Sequence, residues 1–304
     1  MKLQDTKRGN EQIMRTAKSI GAYRGQFFLM ASIILLCSII VSCAGGVNLF
    51  SKSEDVQLGQ QMAQQIAADP THYPILHNAA LTAYLQSIED RIVQSPNVQN
   101  KDFHYTVTII NDPKTVNAFT IPAGGIYVYT GLLNFIDNES ALAGVLAHET
   151  THADHRHATR NMTQQYGLQA LTSIALGAAG LGSLGSVVAN LGTSLTVLKF
   201  SRDDEREADQ GSFDDLSQIS GQPWWPGGVN LFLTKSLAAQ PNQPGAFQQL
   251  FLTHPVDQDR INAINANIQK SGLRNASAGQ LNVANYARYK SMLSTSGATA
   301  PSRQ

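Results

Sequence analysis

Residues 148–152 read His148-Glu149-Thr150-Thr151-His152, two imidazoles and a carboxylate at fixed spacing. They sit in a run, 140–160, whose pattern is helical. On a helix, positions i and i+4 lie about 40° apart around the axis, so His148 and His152 can aim at one metal ion. Neutral imidazole suits zinc, and two ligands on one rigid helix hold the geometry. Glu149, one position on, is placed to polarise a water there.

A catalytic zinc takes three protein ligands, and His2Glu is one such set. A third histidine ten positions after His148 would mark a metzincin, but position 158 is Ala158. The charged run Arg202-Asp203-Asp204-Glu205-Arg206-Glu207-Ala208-Asp209 offers Glu205 and Glu207 as carboxylate candidates. With only Cys37 and Cys43 in the chain, both near its start, a metal site in the body must use His and carboxylate donors. His72, His77 and His104 have no supporting spacing and read as ordinary histidines. Thr253-His254-Pro255 ends a loop, with Arg260 six residues after the histidine.

These residues need elements to position them. Asn138 or Asp137 can cap the metal helix, and Leu142, Val145 and Leu146 supply its apolar stripe. Helices are predicted over 54–69, stopped by Pro70, and over 78–94. Strands are predicted over 103–110, 116–121 and 126–129, with turns at Asn111-Asp112-Pro113 and Gly124-Gly125. A strand beside the metal helix can pair with an extended peptide. A helix starts near Ser201, one follows the turn-rich stretch 222–228, and another starts near Val256 or Asp257. Residues 167–198 carry no charge and are interrupted by five glycines, which predicts a helical hairpin, buried or lying against membrane.

The 304 residues balance, with Lys+Arg 22 against Asp+Glu 22, so no basic excess points to nucleic acid. A basic start leads into an uncharged apolar run, 27–41, short for a span of about 20 residues and shaped like a secretory signal. Its end, Ile40-Val41-Ser42-Cys43, resembles the bacterial lipobox. That resemblance implies a signal peptide over 1–42, lipid on Cys43 and a membrane tether through it. Ala44 in place of aspartate favours the outer membrane, facing the periplasm. A linker over 43–53, a domain over 54–290 and a frayed tail over 291–304 complete the expected organisation.

Several segments occur together in a familiar order. They are Asn117-Ala118-Phe119, Pro122-Ala123-Gly124-Gly125, Gly131-Leu132-Leu133, the 148–152 motif with Arg156-His157, Ser201-Arg202 with Glu205 to Asp209, and His254-Pro255 with Arg260. In this the chain resembles the HtpX/BepA-like family of zinc metallopeptidases, which includes the CAAX prenyl proteases. The resemblance runs from about Leu58-Gly59 to about Ile264. It implies a mostly helical α+β fold of zincin type, with a small antiparallel sheet beside the metal helix. It also implies one zinc held by His148, His152 and Glu205, with Glu149 as general base. Glu205 is chosen over Glu207 because the family's ligand stands four residues before Asp209. Asp209 and His157 would support the ligands. His254 would be an oxyanion donor or a gate, and Arg260 charge support. The implied role is cleavage of misfolded outer-membrane proteins in envelope quality control. The rival expectation is a chaperone-like or scaffold module with a latent zinc site. The extra residue in Pro122-Ala123-Gly124-Gly125 leaves the nearby strand register open.

Overall fold

The computed structural model describes residues 46, 48–165 and 199–296. The chain divides into two units, 1–47 and 48–304, and the second is the one described. The signal peptide, Cys43 and the hairpin expected over 167–198 lie outside the described residues.

Local chemistry sets where the helices begin. Ser51 and Glu54 form a capping box that starts α1, Lys52–Ala68, inside the stretch expected to be linker. Asn78 Oδ1 accepts the Leu81 N–H and starts α2, Ala79–Ile92. Three strands follow: β1, Thr106–Ile110, β2, Ala118–Ile121, and β3, Gly125–Tyr129. A short α3, Thr130–Phe135, leads to the metal helix α4, Glu139–Asp154. Of the two candidate caps for α4, Asn138 takes the position, accepting the Ala141 N–H at 2.9 Å.

The sheet order is β1-β3-β2. The expected antiparallel pairing holds for β2 with β3, but β1 runs parallel to β3, so the sheet is mixed. The reason is the connection 111–117. It carries the chain past the place of β3, pinned where the Val116 N–H meets the Ala246 carbonyl, and β3 then folds back between its neighbours. The β2–β3 link is a turn closed by the Gly124 N–H on the Ile121 carbonyl, with Pro122 second and Ala123 third at φ 62°. That is the type II arrangement, in which the third position needs positive φ. Loop residues 122–124 absorb the extra residue, and Ile121 pairs directly with Gly125.

Strand alternation divides the core. Val107, Ile109, Ala118, Ile126 and Val128 face the main cluster with α2 and α4. Phe119, Ile121, Tyr127 and Tyr129 face a second cluster against Leu58, Met62 and Ile66 of α1. The stripe expected on α4 is only part of its buried surface, because every residue from Glu139 to Asp154 is buried. Helices close over it after the gap: α5, Arg202–Gln218, α6, Gly228–Ala239, α7, Pro244–Thr253, and α8, Gln258–Lys270. Where α4 meets α6, a Cβ on Gly144 or Gly228 would run into the other helix's backbone, so glycine there permits the approach. A single turn α9, Ala278–Leu281, precedes α10, Val283–Ser296, which stays helical beyond residue 291. Glu139 ties this end together, accepting from Tyr84, Trp224, Asn282 and Asn285. Among the described residues no helix is long and apolar enough to cross a membrane.

Candidate metal centre

The α4 helix presents His148 and His152 on one face, with their Nε2 atoms 3.0 Å apart. The third donor, a carboxylate, comes from α5. Ser201 and Asp204 cap that helix reciprocally, and Glu205 follows in its first turn. Glu205 Oε2 lies 3.5 Å from His148 Nε2, and Glu205 Oε1 lies 3.5 Å from His152 Nε2. Four ligands about 2.0–2.1 Å from a zinc ion sit about 3.3 Å from one another, so the donor set and spacing fit the metal. His148, His152 and Glu205 are buried, as are Glu149 and His254 beside them. Glu149 Oε2 and His254 Nε2 have no hydrogen-bond partner, two polar atoms held ready inside the protein.

The surroundings hold these groups in place. Asp209 Oδ1 lies 3.0 Å from His148 Nδ1, off the line of a well-aligned hydrogen bond. His157 Nδ1 meets His152 Nδ1 at 2.7 Å. A continuous helix from 140 to 160, as expected from the pattern, would not allow this contact, since residues five apart lie about 140° apart around the axis. The chain instead breaks at His155-Arg156, where Arg156 has φ 57°, and restarts as a helical stretch at 157–165. Arg156 is anchored by Asp55 and the Phe50 carbonyl. His254 is the C-cap of α7, with Nδ1 3.0 Å from Glu205 Oε1 and Nε2 3.6 Å from Glu149 Oε1. Arg260, in the first turn of α8, forks onto both oxygens of Asp209 at 2.7 Å and reaches Glu205 Oε2 at 2.6 Å.

Electrostatics follow from burial. Burial pushes the Glu205 carboxyl up, but His254, Arg260 and the two histidines outweigh it and hold the group well below the usual carboxylate range. Asp209 shows the same contest: burial raises it, and Arg260 with His148 brings it down. Glu149 has no comparable partner, so burial leaves it raised despite His254 and His148. Burial also lowers His152, which keeps its ring neutral and able to ligate.

The comparisons with known proteins point the same way. The model for peptidase family M48 matches residues 79–268, more than half of the chain. The chain belongs to peptidase family M48. This is a family of zinc-dependent metallopeptidases, and the mostly helical fold with its small sheet is that of its zincin-type domain. Among similar proteins, the beta-barrel assembly-enhancing protease of Escherichia coli (strain K12) is 31% identical over 224 residues, covering 70% of this chain and 44% of that protein. Its Yersinia pestis counterpart is 29% identical over 231 residues, covering 73% and 45%. The metalloprotease LoiP of Escherichia coli (strain K12) is 29% identical over 220 residues, covering 71% and 81%. The chain thus spans less than half the length of the two beta-barrel assembly-enhancing proteases.

The M48 fold brings together all eight residues singled out in the body of the chain: His148, Glu149, His152, His157, Glu205, Asp209, His254 and Arg260. It separates Glu207 from them, placing it on the far side of His157 with Arg160 and His155. Two neighbours have no sequence signal. Phe200 stacks on the His152 ring, centroids 3.8 Å apart, and its N–H bonds the Thr253 carbonyl just before His254. Glu89 of α2 accepts the Thr150 hydroxyl behind the motif. A cavity of 20 Å³, with Ala118, Val145, Phe232, Leu250 and Val256 in its wall, has Glu149 and His254 at its polar side. It has room for about one water.

Proposed function

We propose that this chain is a zinc endopeptidase that cleaves unfolded or misfolded proteins of the bacterial envelope. The reading rests on one observation above the rest: the donor atoms of His148, His152 and Glu205 converge, and Glu149 stands beside them uncommitted. A zinc ion, when bound, supplies a Lewis acid for the scissile carbonyl. Glu149 takes a proton from the attacking water, and its raised carboxyl is suited to hold that proton and pass it on. Arg260 is a positioning residue that neutralises Asp209 and Glu205. His254, with a free Nε2 3.6 Å from Glu149 and its Nδ1–H directed to Glu205, can donate to the oxyanion when its ring carries both protons.

The setting belongs to the same proposal. The relatives named for β-barrel assembly suggest outer-membrane proteins as substrates. The apolar run 27–41 with Cys43 behind it supports a lipid tether on the periplasmic side of the outer membrane. Replacing Cys43 with Ser should move the protein from membranes to the soluble fraction. Unchanged membrane fractionation would remove the tether from the account.

A second reading is favoured by the place of His254. Its ring belongs to the same buried donor group as His148, His152 and Glu205. Four protein ligands make a closed, structural site, whereas a catalytic one keeps a position open. On that reading the chain is a binding or scaffold module with a latent centre. One assay separates the two: cleavage of casein by wild type, Glu149→Gln and His254→Ala, with zinc content measured alongside. The peptidase reading expects cleavage by wild type, abolished in Glu149→Gln with zinc retained. Casein bound but uncut by wild type and by His254→Ala would favour the scaffold. Retained cleavage in Glu149→Gln would sink the mechanism.

A further inference from the structure

A second group of metal-type donors lies behind the first. His155 caps the end of α4, His157 opens the next helical stretch, and Glu207 projects from α5. One donor atom from each lies within 4.8 Å of the others. His155 Nδ1 is 2.7 Å from Glu207 Oε1, and His157 Nε2 is 3.3 Å from Glu207 Oε2. The second separation matches the spacing of about 3.3 Å between ligands of one zinc ion, and the first is a direct hydrogen bond that a cation would have to replace. His157 is fully buried, yet its Nε2, aimed at this group, has no hydrogen-bond partner. A buried ring nitrogen left in that state is unusual, and a cation would satisfy it.

The charge around the group favours a cation. Asp154, Asp204 and Glu207 stand against one guanidinium, Arg160, which holds Asp204 Oδ1 at 2.6 Å and Glu207 Oε2 at 2.8 Å. Arg160 thereby engages one Glu207 oxygen and leaves the other towards His155. Two imidazoles and a carboxylate suit zinc and its divalent neighbours, not calcium or magnesium. The group is also reachable. The side chains of His155 and Glu207 keep 28% and 41% of their exposure, whereas Glu205 and His152 keep none.

We propose that His155, His157 and Glu207 form a second divalent-cation site, distinct from the one at His148, His152 and Glu205. The site stands on its own residues.

The test is zinc stoichiometry on the full chain carrying Glu149→Gln, which prevents self-digestion. The protein is dialysed against excess zinc and its metal counted by elemental analysis. The expected result is about two zinc ions per chain, and about one after adding His155→Ala or Glu207→Gln. One zinc in the parent, or two in either added variant, overturns the proposal. Glu207→Gln keeps the shape of the side chain, so a fold lost in one variant does not remove the test. Adding Glu205→Ala instead separates the two sites: about one zinc should remain, held by His155, His157 and Glu207. An undiminished count in that variant counts against the first site and not the second.

Discussion

At the residue scale, the centre is a balance of buried charges. Glu205 and Asp209 are both buried acids, and Arg260 is the cation that lets them stay ionised. Its planar fork meets Asp209 through two nitrogens, a geometry that an ammonium cannot copy. Arg260→Met should therefore destabilise the protein by about 3–5 kcal/mol, because it strands two buried carboxylates. Urea unfolding of the variant beside wild type measures this. A loss below about 1 kcal/mol would mean that the carboxylates are supported by something else. The pairing of His148 with His152 is legible from spacing, since i,i+4 on a helix needs no tertiary knowledge. The stacking of Phe200 on His152 was not, since nothing in the order Lys199-Phe200-Ser201 places that ring 48 positions back along the chain.

At the scale of elements, α4 and α2 share a buried polar contact with a pH signature. Burial lifts the Glu89 carboxyl to about 8, offset only in part by the Thr150 hydroxyl. The unfolded chain ionises this group near its ordinary value of 4.5. Between those two values the folded state holds a proton that the unfolded state has released. Stability should thus fall as pH rises from about 4.5 to 8 and level off above. Glu89→Gln removes the charge and keeps a hydrogen-bonding side chain. It should raise the melting temperature at pH 8 and change it little at pH 4. Equal shifts at both pH values would show that Glu89 is not held neutral. The apolar stripe of α2 is legible in the residue order, but an acid inside that stripe's neighbourhood looks like any exposed one until α4 covers it.

At the scale of the molecule, the proposed metal ligands close a long loop. His152 and Glu205 come from different helices, with 166–198 between them outside the described residues. A cation bound to the folded state alone stabilises it by mass action, by about 2.7 kcal/mol at a free concentration 100 times Kd. Chelation should therefore lower the melting temperature of wild type, and that of Glu205→Ala by less. Calorimetry with and without chelator reads both. An unaltered transition in zinc-free wild type would mean that the fold does not lean on the metal.

Several properties were set by the order of residues alone. The paired histidines, the glutamate between them, the caps at Ser51, Asn78, Asn138 and Ser201, and the alternation in the strands are local, because helix and strand periods act within a few residues. The choice between Glu205 and Glu207 was not local: both stand on one helix near the same motif. Only the packing of α5 on α4 turns Glu205 to the histidines and Glu207 to His155 and Arg160. The mixed sheet is likewise a matter of long-range pairing, β1 beside β3, and the chain between β1 and β2 is held from a distance by the Val116 N–H on the Ala246 carbonyl. So is the break at Arg156, whose positive φ is held by Asp55 and Phe50 from α1 and the residue before its cap. Positive φ costs a residue with a Cβ free energy, and only contacts from elsewhere in the chain can offset it.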